Sequence, residues 1–209
     1  YRIEYVDWDN QDNVLKSYTV DGYMGEKPHR KITAPDSWQD GKYSYSFLPV
    51  DGHPQEQTVT FEKQTDTLTF YYKKNTADYT VNYYLYGTKD KVADPETGTA
   101  PLGETVTPKT IEVPGYTLVP GQGTTLTIGT GDNVLDLYYT KNPYKYTVNY
   151  FYDNVEDAEK RVEDSAPYKD TITYEDKAEK GYDLEKVEPA TGSLTIGTNP
   201  EENVIKVYY

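Results

Sequence analysis

The chain has 209 residues, a formal net charge of −14, no cysteine and 24 tyrosines. The acidic excess argues against nucleic acid, whose phosphates need Lys and Arg, and against a polybasic role at a membrane surface. Zero cysteine excludes a disulfide framework and a thiolate metal site, no apolar run approaches the roughly 20 residues that span a bilayer, and no secretory leader is visible.

Tyr1-Arg2-Ile3-Glu4-Tyr5 opens the chain with aromatic and β-branched types and reads as a strand. Asp7-Trp8-Asp9-Asn10-Gln11-Asp12 follows as the densest run of side-chain oxygens. The spacing of Asp7, Asp9 and Asp12 is loosely that of a calcium loop, but the glycine and closing glutamate of an EF-hand are missing. A solvated hairpin turn accounts for the same residues. Asp21-Gly22, Asp40-Gly41 and Asp51-Gly52 mark further turns. The only histidines, His29 and His53, read as surface loop residues that nothing in the sequence brings together. The only tryptophans, Trp8 and Trp38, each read either as a sugar-stacking residue or as an anchor under a loop. Leu68-Thr69-Phe70-Tyr71-Tyr72 then closes the stretch as a strand of strict period two, with Leu68, Phe70 and Tyr72 inward and Tyr71 outward.

The same strands return further along. Tyr79-Thr80-Val81-Asn82-Tyr83-Tyr84 reappears as Tyr146-Thr147-Val148-Asn149-Tyr150-Phe151, and Gly115-Tyr116 as Gly181-Tyr182. Leu126-Thr127-Ile128-Gly129-Thr130 reappears as Leu194-Thr195-Ile196-Gly197-Thr198, and Asn133-Val134 with Tyr138-Tyr139 as Asn203-Val204 with Tyr208-Tyr209. These matches divide the chain into repeats at 1–73, 74–141 and 142–209, all acidic, the first a looser copy. The joints at 73–78 and 140–145 are short and are not Gly/Ser tethers, which predicts repeats held end to end in an elongated array. Since the chain opens and closes on repeat motifs, it reads as a segment of a longer array. The one clear helix signal is residues 174–180, with Thr173 as N-cap and Gly181 just past the end; residues 108–112 hold the same place in the second repeat. A repeat of about 67 residues is near the lower limit for independent folding without staples, so large tyrosine rings must supply much of the core. The expected architecture is mostly β within the α+β class: a small grasp whose first and last strands pair in parallel at the centre of the sheet.

The opening Tyr-x-Val-x-Tyr-Tyr strand, the mid-repeat Gly-Tyr, the Thr-Ile-Gly turn and the closing Asn-Val strand ending in Tyr-Tyr resemble the MucBP (mucin-binding protein) repeats of Gram-positive cell-surface proteins. Repeats two and three match over nearly their whole length; the first matches mainly at its ends and at Tyr5-Val6-Asp7. The resemblance implies tandem ubiquitin-like β-grasp domains and an extracellular setting, anchored to the cell wall through other parts of the parent chain. It also implies an adhesive or stalk role without shared catalytic residues.

By alternation Tyr71, Tyr84, Tyr138, Phe151 and Tyr208 face away from the core, and Tyr86 continues that face. Together with Trp8 and Trp38 they form an aromatic platform for sugar rings, or else cross-strand pairs that only stabilise sheets. No nucleophile elbow, phosphate loop or dinucleotide fingerprint occurs, so neither a catalytic residue nor a cofactor is assigned. No isopeptide crosslink is assigned either. Two functions remain. One is a monomeric adhesion segment binding mucin-type glycans or host glycoproteins; the other is a ligand-free stalk.

Overall fold

The computed structural model describes residues 1–63 and 65–209. Every regular element among the described residues is a β-strand, so the described fold is all-β where α+β is expected. By Cα proximity it divides into two compact units. One comprises Tyr1–Val81, Glu96–Pro108 and Thr124–Leu135, the other Asn82–Pro95, Lys109–Gly123 and Asp136–Tyr209. The division runs through the second sequence repeat, so each joint between repeats lies inside a unit.

The first unit holds a five-stranded sheet ordered Val14–Thr19, Arg2–Asp7, Thr67–Lys74, Tyr43–Phe47, Ser37–Asp40. Its two central strands are the first and last of the repeat, and they pair in parallel from Arg2↔Thr67 to Asp7↔Tyr72. The second unit repeats the plan. Pro143–Tyr152 pairs in parallel with Val204–Tyr208, while Val162–Pro167 and Lys186–Glu188 add antiparallel neighbours. The strands Tyr116–Leu118, Val134–Lys141, Thr76–Leu85 and Lys91–Pro101 form a four-stranded middle sheet, in that order. A short two-stranded ribbon accompanies each sheet: Arg30–Thr33 with Glu56–Val59, Thr105–Val106 with Leu126–Thr127, and Thr171–Thr173 with Ser193–Thr195.

Alternation along the central strands builds the cores as expected. Ile3, Tyr5, Phe70 and Tyr72 are buried in one cluster, and Val148, Tyr150, Ile205, Val207 and Tyr209 in another. Val81, Tyr83, Leu137 and Tyr139 are buried in the middle sheet.

The helix expected over residues 174–180 does not form. Thr173 ends a strand, and the segment beyond it is a strap held by tyrosine hydroxyls. Tyr150 Oη donates to Glu175 O at 2.8 Å and Tyr152 Oη to Lys177 O at 2.6 Å, while Lys177 N–H donates to Tyr209 Oη at 2.6 Å. These bonds occupy the carbonyls and the amide that an α-helix needs for its own ladder. The other repeats do the same more sparingly: Tyr139 Oη donates to Ile111 O at 3.0 Å, and Tyr72 Oη to Pro35 O at 2.8 Å. What persists of the expected grasp is the parallel central pair.

Two buried asparagines fix the turn that precedes each of the last two closing strands. Asn133 Oδ1 accepts from Gly129 N–H at 2.7 Å, and its Nδ2 donates to Gly129 O and Asp78 O, both at 3.1 Å. Asn203 makes the same three bonds to Gly197 N–H, Gly197 O and Lys145 O, at 2.8, 2.9 and 3.1 Å. An Asn amide offers donor and acceptor on one short side chain, so it folds the Thr-Ile-Gly turn and ties it to the start of the opening strand.

The two joints share one design. Asn75 N–H donates to Ser44 O at 2.9 Å, Ser46 Oγ donates to Asn75 Oδ1 at 2.8 Å, and Asn75 O accepts from Leu102 N–H at 2.9 Å. In the other unit Asn142 N–H donates to Gly115 O at 2.9 Å, Thr117 Oγ1 donates to Asn142 Oδ1 at 2.6 Å, and Asn142 O accepts from Tyr168 N–H at 2.9 Å. A carboxylate two residues past that amide locks each joint: Glu104 accepts from Tyr43 Oη and faces Lys42 at 3.6 Å, and Asp170 pairs with Lys141 at 2.6 Å. The Tyr43 hydroxyl, with Lys42 behind it, holds the Glu104 carboxyl below its usual range.

Candidate ligand-binding faces

The outward residues of the central strands stand beside one another because their strands are hydrogen-bonded neighbours. In the C-terminal sheet Phe151 and Tyr208 are register partners, so their rings stack with centroids 4.7 Å apart and planes 15° from parallel. Lys186 Nζ lies 4.3 Å from the Tyr208 centroid and 3.0 Å from Glu188. In the middle sheet Tyr138 lies 6.3 Å from both Tyr84 and Tyr86. Lys89 Nζ sits 4.7 Å above Tyr84 and donates to Asp136 at 2.8 Å, and Asn82 donates to the other oxygen of Asp136 at 2.8 Å. Lys89 first and Asn82 second hold the Asp136 carboxyl below its ordinary value. In the N-terminal sheet Tyr71 is flanked edge-on by Trp8 at 5.2 Å and by His53 at 5.0 Å.

These rings are neither buried nor free. Tyr71, Tyr84, Tyr138, Phe151 and Tyr208 are half-buried against their neighbours and keep part of each ring in solvent, while Trp8 and Tyr86 are exposed, at 37% and 63%. Such a pair supports its own sheet by cross-strand contact. The same rings keep apolar surface in solvent beside charged side chains.

The structure separates the two tryptophans. Trp38 does not share the outer face with Trp8. It packs on the margin of the N-terminal core, 5.5 Å from the Tyr5 ring, with Lys16 Nζ 4.7 Å above it. Its indole nitrogen is buried without a hydrogen-bond partner. Only the anchor reading of Trp38 has a counterpart in these contacts.

The acidic run after the first strand is organised around Asp7, which is 1% exposed. Asp7 accepts from Asp9 N–H at 3.1 Å and from Asn13 Nδ2 at 3.5 Å, and faces Lys74 Nζ at 3.6 Å. Asp9 lies 3.9 Å from Lys73, and Asp12 is exposed. The three carboxylates are thus a turn anchor and its solvated flank, and among the described residues no three His, Cys, Asp or Glu side chains gather as a metal site. His53 is engaged with Tyr71 and with Thr69 O at 3.1 Å, while His29 is exposed on a separate segment. Open depressions include one of about 600 Å³ lined by Lys145, Glu163, Asp164 and Glu201 and another of about 630 Å³ lined by Tyr1, Arg2 and Asp66.

No protein-family model matches the chain, and no curated protein matches it. Among solved structures it is similar to Streptococcal High Identity Repeats in Tandem (SHIRT) domains 3–4 of a cell surface protein, at 13% identity and a TM-score of 0.29, over 68% of this chain and 98% of that one. It is also similar to the type 2 repeat of the mucus binding protein MUB from Lactobacillus reuteri, at 15% identity and a TM-score of 0.24, over 68% and 98%. Mub-RV is similar at 14% identity and a TM-score of 0.26, over 68% and 97%.

Proposed function

We propose that this chain is an adhesion segment of a bacterial cell-surface protein, made of three repeats at 1–73, 74–141 and 142–209, that meets mucin-type or other host glycoprotein glycans on shallow aromatic faces. The observation that carries this reading is the return of paired outward rings on successive sheets, with a charged or polar border at Lys89, Asp136 and Asn82 and at Lys186 and Glu188. A shallow, half-buried ring pair binds weakly. Repetition along one chain raises the local concentration of sites and converts weak contacts into useful avidity. The net charge of −14 disfavours sialylated or sulfated glycans and favours neutral ones. The segment acts as a monomer outside the cell, anchored to the wall through other parts of its parent, and binds without turning anything over.

A second reading, the stalk, is favoured by the joints at Asn75 and Asn142, which hold successive repeats with backbone hydrogen bonds and an ion pair. Binding of the full chain to arrays of neutral and anionic glycans, displayed multivalently with calcium and with chelator, separates the two. Adhesion predicts signal on a defined neutral group, lost on Trp8→Ala, Tyr84→Ala or Tyr138→Ala while circular dichroism stays unchanged. No signal on any glycan at high display density rejects adhesion and leaves the stalk.

A further inference from the structure

Each joint brings together two unlike faces. One face is the end of a closing strand with its asparagine, the strand-end face. The other is a three-residue corner that precedes a ribbon, the corner face: Leu102-Gly103-Glu104 in one joint and Tyr168-Lys169-Asp170 in the other. Three properties recur in that corner. Its first residue gives a free N–H to the asparagine carbonyl. Its second adopts a positive φ, +85° at Gly103 and +63° at Lys169. At Gly103 a Cβ would stand 2.3 Å from the Lys42 carbonyl oxygen, so the backbones touch there. Its third is a carboxylate that takes a lysine from the preceding repeat.

Ribbon register identifies the same corner in the N-terminal repeat. Ile128 N–H donates to Glu104 O and Ile196 N–H to Asp170 O, both at 2.8 Å, and the corresponding buried residue Val59 is the register partner of Arg30. The corner is therefore Pro28-His29-Arg30, and each property is inverted. Proline has no N–H to give. His29 is not among the residues with positive φ. Arg30 carries positive charge where a docking repeat brings a lysine, and its exposed guanidinium is engaged by Glu26, by Asp21 O at 3.0 Å and over the Phe61 ring at 5.3 Å. The loop beside it projects Tyr23 and Met24, 84% and 69% exposed.

We infer that the corner face of the N-terminal repeat is closed, so that the closing-strand end of another copy of this chain cannot dock there as the Asn75 and Asn142 joints are docked. A head-to-tail interface with two unlike faces can repeat within one chain or between chains, and a corner that cannot pair stops it at that face.

The test moves the closed corner into a working joint of the full chain. Leu102→Pro, Gly103→His and Glu104→Arg together should release the first joint while both sheets stay folded. Residual dipolar couplings would then report separate alignments for strand Arg2–Asp7 and the ribbon of Thr105–Val106 with Leu126–Thr127, and Lys42 and Tyr43 would lose their contact shifts. Should the triple variant fail to fold, Glu104→Arg alone serves, with a partial release expected from charge repulsion against Lys42. Either variant folding with the joint still docked, its alignment shared as in the parent chain, would overturn the inference.

Discussion

The two faces of each sheet use one residue type for different ends. On the inner face Tyr72, Tyr139 and Tyr150 are buried, and their hydroxyls pin the crossing strap. On the outer faces Tyr84 and Tyr138 lie half-exposed against each other, and Tyr208 lies half-exposed against Phe151. A tyrosine is a large apolar ring with one polar tip, so the inner copies satisfy both parts inside the protein and the outer ones leave the ring for solvent or ligand. The abundance of tyrosine is thus two requirements superimposed, and only the inner one is needed for folding.

Alkali should break the inner set first and give the largest effect. Burial pushes Tyr5 and Tyr45 up to about 12 and raises Tyr72, Tyr139, Tyr150 and Tyr209 in the same direction. In the unfolded chain a tyrosine ionises near pH 10. Between about pH 10 and 12 the unfolded state therefore binds fewer protons than the folded one, and stability falls as pH rises. Urea midpoints should hold steady up to pH 10 and drop steeply above it. A midpoint that rises across this range would contradict the assignment.

Removing an inner ring comes next. Tyr150→Ala takes away a fully buried ring and frees Glu175 O, and should cost about 3–5 kcal/mol, measured by denaturant unfolding of the full chain. Removing only the tip is milder. Tyr72→Phe keeps the ring but leaves Pro35 O without its bond, for about 1 kcal/mol. The outer set should move stability least: Tyr208→Ala gives up the stack on Phe151, about 0.2–1 kcal/mol. If Tyr208→Ala destabilised as much as Tyr150→Ala, the division of labour between the faces would be wrong.

Period-two alternation made the central strands legible, down to which of Phe70, Tyr71 and Tyr72 point inward. The parallel pairing of first and last strands was legible too, from their matched strength and the long crossover between them. The strap was not. Residues 174–180 have the local signature of a helix, and what overrides it is the set of hydroxyls arriving from Tyr150, Tyr152 and Tyr209, distant in sequence. Trp38 was ambiguous for a similar reason, since its four-residue strand shows too little pattern to fix a face. The joint asparagines were missed altogether, although Asn75 and Asn142 stand at matching places after the two closing strands and that recurrence was the available signal.

The parallel central pairs carry one more consequence, for how the molecule bears tension. When two neighbouring strands run the same way, the start of the first and the end of the second lie at opposite ends of the sheet. A pull on the chain at Arg2 and Lys74 therefore drags the two strands past each other lengthwise. It loads every backbone bond between Arg2↔Thr67 and Asp7↔Tyr72 together, where a hairpin pulled at its open end would unzip one bond at a time. Pro143–Tyr152 and Val204–Tyr208 meet a pull in the same geometry. Resistance to stretching is then set by the unfolding barrier of these pairs and not by the equilibrium stability of the sheets around them.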